Sequence, residues 1–443
     1  MAIIYDCPNE ILHMICAYLD DYPERIQLIT SLCLVSKRVR AVALPFLYKT
    51  FVSRRRGNNF RLLKFVYALI NRSDIAEHVR NVDIELPSRV GSLSINHMPT
   101  STTEFWEEAK EIVRQAANKF QMPRGIKIQW RNHFDYDHEN ACTAILLVQT
   151  SPNLQELHLR YDQGVIAILP WSLELMRIFS QSRSALGHDA FPALHTVRLS
   201  CRLHKTRGAI RFRQLTHLFQ LPNIRHIEVN GCLEMSLGNG SLWDHCWQGV
   251  QSATLETLIF RESMLHANAL YVVLRSCKAL KNFHLEMDLL GPAWNKFDYG
   301  RLNQGLAYHV DSLRTLCIGF HDKAIQQNQG HGTMSDSKLL SLTNFAKLRS
   351  LTIPLNMIVQ FPPGPEAKGL AELLPDSLQG LEICNTILLR QYFGVLLQYL
   401  LKSRITSMTQ LRTLQIRSLN PLEPNWLIVA GMLQERGVSL VLE

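Results

Sequence analysis

Seventeen histidines and ten cysteines give this chain of 443 residues enough bases, nucleophiles and metal ligands for many reactions, so their spacing is the first question. The adjacent His245 and Cys246, and the pair His321 and His331, come nearest to a metal centre. Neither provides four ligands at the spacing of a closed site, and neighbouring side chains on one backbone chelate an ion poorly. Trp243 and Trp247 beside the first pair speak for packing instead. Gly238-Asn239-Gly240-Ser241 lacks the later glycine and the preceding strand of a dinucleotide turn. The phosphate loop G-x-x-x-x-G-K-[ST], the nucleophile elbow G-x-S-x-G and the zinc pair H-E-x-x-H are all missing. The expectation is therefore no catalytic residue, no metal and no cofactor. The polar residues are expected to bind, and the protein is expected not to be an enzyme.

The polar side chains with regular company are those inside a recurring frame, apolar-x-x-apolar-x-apolar. LQELHL begins at Leu154, LHTVRL at Leu194, IRHIEV at Ile224, LETLIF at Leu255 and LKNFHL at Leu280. LRTLCI at Leu313, LRSLTI at Leu348, LQGLEI at Leu378 and LRTLQI at Leu411 continue it. The bare frame recurs by chance in a chain that is 47% hydrophobic. Two added features make it specific: the second residue is always polar, and a short lead-in recurs, as in SPNL, SATL, VDSL and PDSL. Side chains alternate along a strand, so the fifth residue of each copy points away from the leucines. Those fifth residues are His158, Arg198, Glu228, Ile259, His284, Cys317, Thr352, Glu382 and Gln415.

Between frames the spacing turns helical. Leu270, Val273, Leu274 and Cys277 recur at i, i+3, i+4, i+7, and so do Leu389, Phe393, Leu396 and Leu400 over three turns. A strand followed by a helix cannot bury its apolar side alone, so copies spaced roughly 25 to 40 residues apart must stack. The unit resembles a leucine-rich repeat of the long, ribonuclease-inhibitor-like type. The resemblance implies an α/β solenoid, a horseshoe with parallel strands inside and helices outside. It covers 79–443, with Val79, Val82 and Ile84 as a first strand and Val438 to Leu442 as a closing one. The ninth position, Asn or Cys in that family, holds Cys232 and Asn356 but also Asp162, Arg202, Ser263, Asp288, His321, Thr386 and Leu419. In 87–150 the repeat fades. There Ser101 and Glu104 read as a capping pair ahead of a helix carrying Phe105, Ile112, Ala116 and Phe120, and Ile126 to Trp130 as a strand.

The start of the chain follows another pattern. In CPNEILHMICAYLD, Pro8 suits a first helical turn, and Ile11, Leu12, Ile15 and Leu19 form an apolar stripe. A second helix is expected over Ile26 to Val35, and a third built on Val39, Val42 and Leu44 and ending at Pro45. These residues resemble the F-box, on the match of Pro8, Asn9, Glu10, Ile11 and Leu12 and then of Leu34, Val35, Ser36, Lys37, Arg38, Val39 and Arg40; ALPFLYKTF resembles its fungal ending. Cys7 stands where the family has leucine. The resulting organisation is a helical F-box-like domain over 1–51, a linking helical segment over 52–78 and the repeats over 79–443.

The resemblance implies a substrate receptor of an SCF-type cullin-RING ubiquitin ligase. Pro8, Ile11, Leu12, Ile15, Leu19, Leu34 and Val35 would dock on the Skp-type adaptor, and the repeats would hold a target protein. Target contacts are expected at His158, Arg160, Arg198, Glu228, Arg261, His284, Glu382 and Arg417. Arg160, Arg198, Arg261 and Arg417 would take a phosphate if neighbouring copies bring them together. The alternative is a repeat scaffold unrelated to ubiquitin, with the N-terminal helices as a cap. Net charge is +9 but spread along the chain, and the fifth-position row mixes signs, so a protein partner is favoured over nucleic acid. The cysteines form no C-x-x-C pair, the first residues lack a signal-peptide pattern, and no apolar run approaches membrane-spanning length. An intracellular protein of cytoplasm or nucleus, making no membrane contact, is the expectation.

Overall fold

The computed structural model describes residues 7–20, 22, 24–54, 60–86, 100–119, 124–125, 127–128, 130–131, 138–161, 191–201, 210–234, 247, 250–287, 298–320, 342–354, 357, 372–384, 410–416, 430–431, 433–435 and 437–442. The chain forms two compact units, 1–208 with 221–223, and 209–220 with 224–443. Both are α/β and built on parallel strands.

The first unit opens with helices α1 (Asn9–Asp20), α2 (Arg25–Val35) and α3 (Lys37–Tyr48). Ser36 caps α3 by accepting from the Val39 amide at 3.1 Å. The sequence predicts that α3 ends at Pro45, yet it continues to Tyr48. A proline removes one amide donor, but the helix has a single turn left, and Ala43 and Phe46 hold it in the core with Cys16 and Ile29. Next come β1 (Thr50–Ser53), α4 (Phe60–Asn71), α5 (Ser73–Ala76), β2 (Asn81–Leu86), α6 (Thr100–Lys119), α7 (His138–Thr150), β3 (Glu156–Tyr161) and β4 (Thr196–Cys201). Strands β1 to β4 pair in parallel in chain order. β1 straddles the expected domain boundary at 51, so pairing starts about thirty residues before the expected first strand.

Two expectations in 87–150 fail. Ser101 lies inside α6, which already starts at Thr100, and the buried face of that helix is Ala109, Val113 and Ala116. Residues 127–128 and 130–131 are helical, not extended. Trp130 is buried there, and a bulky apolar side chain with no period-two company does not make a strand. The sequence reading also passed over α7. Residues 140–148 are buried all round, and a helix without a polar face leaves little amphipathic signal.

The second unit carries β5 (Ile210–Arg211), a 3-10 stretch Phe212–Gln220, β6 (His226–Asn230), β7 (Cys232–Leu233), β8 (Thr257–Ser263), α8 (Ala267–Ser276), β9 (Asn282–Met287), α9 (Tyr299–Leu306) and β10 (Thr315–Phe320). β11 (Ser350–Pro354), β12 (Gly380–Cys384), β13 (Thr413–Ile416) and β14 (Ser439–Leu442) follow. β6 and β8 to β14 pair in parallel in chain order, and β5 with β7 form a separate small ribbon. α8 buries Leu270, Val273 and Leu274, the helical stripe expected from sequence. The helix expected on Leu389 to Leu400 lies outside the described residues.

All nine frames are strands that begin at the third frame residue. The apolar first, fourth and sixth residues of every copy are buried, with Leu411 the most accessible at 5%. Two features of the frame have a physical cause. The carbonyl of a second-position residue accepts two amides from the next copy, as Arg314 O does from Arg349 at 2.8 Å and Ser350 at 3.1 Å. The lead-in hydroxyls bind the preceding copy: Thr254 donates to Ile224 O, Ser312 to Leu280 O and Ser377 to Leu348 O, each at 2.8 Å. Each such bond satisfies a carbonyl at the entry of a strand, which would be costly to leave unpaired in a packed interior.

Candidate binding surfaces

The first candidate surface lies on the three N-terminal helices. Arg38 donates from Nε to Asn9 Oδ1 at 2.9 Å and from Nη2 to Cys7 O at 2.6 Å, which ties the start of α3 to the start of α1. Asp20 accepts from Arg25 at 2.7 Å and Lys49 at 2.5 Å. Burial works to raise the Asp20 pKa, but Lys49 and Arg25 outweigh it and hold the carboxyl below its ordinary value. These contacts fix three short helices whose own core is thin.

The seven residues expected to dock divide between the two sides of this fold. Leu12 is 2% exposed and Leu19 packs on the helical core, so both support the helices from within. Leu34 at 81% and Ile11 stand out in solvent, Pro8 is exposed, and Ile15 and Val35 are half-buried. Met14 and Tyr18, each 65% exposed, with Tyr22, Ile26 and Leu28, belong to the same outer surface and went unremarked in the sequence. The signal was there: Ile11, Met14 and Tyr18 recur at i, i+3, i+7 beside the inner stripe, and α2 is apolar on more than one face.

The second surface is the outward side of the strands, described for each unit by itself. In the first unit, Asp83, His158 and Arg198 are register partners at the fifth position. Arg160 Nη2 donates to Asp83 Oδ2 at 2.8 Å, His158 Nδ1 stands 3.6 Å from Asp83 Oδ1, and Arg198 pairs with Glu156 at 3.4 Å. In the second unit, Arg261 Nε donates to Glu228 Oε1 at 2.9 Å, and His226 Nε2 approaches Oε2 at 3.7 Å. The His226 imidazole, together with Arg261, pulls the Glu228 pKa from 4.5 to about 2 against the opposing effect of burial. His284, register partner of Ile259 and Cys317, stands 3.8 Å from the Cys317 sulfur. Burial first, and the Arg261 charge second, push its pKa from 6.5 to about 4, so the ring is neutral at pH 7. Thr352 donates to Glu382 at 2.9 Å.

Three of the arginines expected to take a phosphate already hold a carboxylate. Arg160, Arg198 and Arg261 are each held by a carboxylate of their own surface, and Arg417 lies outside the described residues. The sequence displays arginines on a face but not the acids across the register from them. His245, Cys246, His321 and His331, Gly238 to Ser241, and the ninth-position residues other than Cys232 and Ser263 also lie outside the described residues. Cys232 lies in β7: its amide donates to Ser263 Oγ at 3.1 Å, and burial pushes the pKa of its thiol well above the ordinary value. Among the described residues, no three His, Cys, Asp or Glu side chains come together as a metal site, and no helix is long and apolar enough to cross a membrane.

No family model matches this chain, and no curated protein matches it significantly in sequence.

Proposed function

We propose that this protein is an F-box and leucine-rich-repeat receptor, docking through its N-terminal helices on a Skp-type adaptor of a cullin-RING ubiquitin ligase and presenting a target protein on its strands. The observation that carries the reading is where the exposed apolar side chains fall. Of ten large hydrophobic residues exposed among the described residues, seven (Ile11, Met14, Tyr18, Tyr22, Ile26, Leu28 and Leu34) lie on α1, α2 and the turn between them. A cap that merely closes a repeat array turns a polar surface to solvent. This one turns an apolar surface outward, the property of a docking face.

The outward strand surfaces support target binding of a polar, directional kind. Their charges are paired and held by part-buried neighbours, so a partner meets fixed donors and acceptors rather than a diffuse field. The receptor contributes no chemistry of its own: holding a target beside the ubiquitin-bearing enzyme raises its effective concentration. The repeat type rests on the nine frames and the parallel strands they form, and an intracellular, cytoplasmic or nuclear setting rests on the resemblance and the cysteine pattern.

The test is co-expression with a Skp-type adaptor, followed by size-exclusion chromatography of wild type and of the Ile11→Asp, Leu34→Asp double variant. Both positions are exposed, so the variant should fold and lose co-elution. A wild type that folds but never co-elutes returns the helices to the role of a cap.

A further inference from the structure

The strand-entry edge of the second unit holds a cluster of cations without an ion pair or side-chain hydrogen bond among the described residues. A pocket of about 330 Å3 is lined by Arg314, Lys347, Arg349, Ser377, Gln379 and Gln410, together with Ala346. Its residues come from two places in the frame. Arg314, Arg349 and Gln379 are second-position residues, whose backbones are locked by the double-acceptor ladder. Lys347, Ser377 and Gln410 are lead-in residues. Where the two neighbouring copies, at Leu313 and Leu378, place a serine that binds the copy before, the copy at Leu348 places a lysine.

Arg314, Lys347 and Arg349 are all exposed, and none makes an ion pair or side-chain hydrogen bond among the described residues. Paired strands run about 4.8 Å apart, so two guanidinium groups and an ammonium crowd one opening and repel one another. Such repulsion costs stability unless an anion relieves it. Among the second-position residues the nearest acid, Glu256, pairs with Lys281 at 2.8 Å, and the exposed lead-in acids Asp311 and Asp376 make no ion pair with the three cations among the described residues. The outward arginines Arg160, Arg198 and Arg261, by contrast, each hold a carboxylate.

We infer that this pocket is an anion site that takes one phosphorylated side chain of a bound protein segment. Three cations with the Gln379 and Gln410 amides beside them match a single tetrahedral dianion, which accepts several charge-assisted hydrogen bonds at once. The extent of the positive edge argues against a nucleic-acid backbone. Gln379 interrupts the cations before Arg412 and Lys281 is neutralised, so the run of positive charge is too short for a polyanion and matches one anion. This site belongs to the second unit alone and does not depend on the adaptor reading.

The experiment titrates the full chain with three probes by calorimetry: a five-residue glycine peptide carrying one phosphoserine, the same peptide with serine, and a fifteen-nucleotide single-stranded thymidine oligomer. The expected result is saturable one-to-one binding of the phosphopeptide, no binding of the serine peptide, and a loss of roughly tenfold or more in Arg349→Gln and in Lys347→Gln. Both positions are exposed, and unchanged melting curves would show that the variants fold. Three outcomes overturn the inference: no saturable phosphopeptide binding by folded wild type, equal binding of the serine peptide, or affinity unchanged in both variants. Tighter binding of the oligomer through the same residues overturns it as well and reassigns the edge to nucleic acid.

Discussion

Replacing His284 by leucine should make the protein's stability less sensitive to mild acid. His284 sits between Ile259 and Cys317 on the outward strand surface, with Arg261 close enough to oppose a second positive charge. In the folded state its pKa is about 4 against an ordinary 6.5. Between those values the unfolded chain binds a proton that the folded chain refuses, so stability rises with pH across this window and is lost as pH falls through it. A drop from 6.5 to about 4 is worth at most roughly 3 kcal/mol. The ring is only half-buried, and access of water brings the expected figure to about 1–2 kcal/mol. Most of that appears between pH 7 and pH 5. Leucine cannot titrate and suits a position whose strand neighbour is Ile259. Urea unfolding of wild type and His284→Leu at both pH values is the assay. A chain of this length does not have to unfold in one step, so the quantity compared is the change in the midpoint difference between the two proteins, not an absolute stability. His309, whose burial also lowers its pKa, contributes alike to both proteins and cancels. The advantage of the variant should grow by about 1–2 kcal/mol on going from pH 7 to pH 5. An unchanged difference would mean that the ring takes a proton as readily in the fold as outside it, and the account of burial and Arg261 would fail.

Three further outcomes are expected. Leu12→Ala should cost about 2–5 kcal/mol of stability, whereas Leu34→Ala should leave melting unchanged and weaken adaptor binding by roughly tenfold or more, read by calorimetry against the Skp-type adaptor. Ser36→Ala removes the hydroxyl that accepts from the Val39 amide and should lower stability by about 1 kcal/mol without changing adaptor affinity once folded, as urea midpoints and calorimetry would show. Gly305→Ala would place a methyl 2.9 Å from Leu274 Cδ1 and 3.2 Å from Tyr271 Cα; the α8 to α9 contact must open, and the net loss should be about 1 kcal/mol after the gain in helix propensity, measured by thermal melting.

The strands were legible and the surfaces only partly so, for different physical reasons. Leu154, Leu157 and Leu159 announce a strand because burial constrains side-chain type, and the same holds for each of the eight other copies. β1 escaped notice because Ser53 occupies the sixth position of its frame, where the other copies are apolar. It is held by the neighbouring strand rather than by its own pattern. α3 passed Pro45 because packing of Phe46 outweighs a lost hydrogen bond near a helix end. The residues expected to dock split because one stripe on a thin helix has to serve two masters: Leu12 faces the core, and Ile11, one residue earlier, faces out. The pairing of Arg160 with Asp83 spans 77 residues of chain, and only the strand register brings them together.

The invariant polar character of the second frame residue has a similar division of labour. Its carbonyl is what the fold requires, because two amides of the next copy converge on it, and every residue type supplies the same carbonyl. Its side chain emerges at the strand entry, outside the packed leucines, so solvent demands polarity and nothing further. The fold therefore places no condition on charge at this position, and Gln155, Glu256, Lys281, Arg314, Arg349 and Arg412 all satisfy it. Where charge is free of the fold, its distribution carries functional information that the apolar positions do not. Glu256 and Lys281 cancel, while Arg314 and Arg349 stand in adjacent copies with Lys347 beside them. A structural requirement would accept glutamine at all three, as it does at Gln379. The proposed anion site rests on that difference: Arg314 and Arg349, with Lys347 beside them, form no ion pair among the described residues.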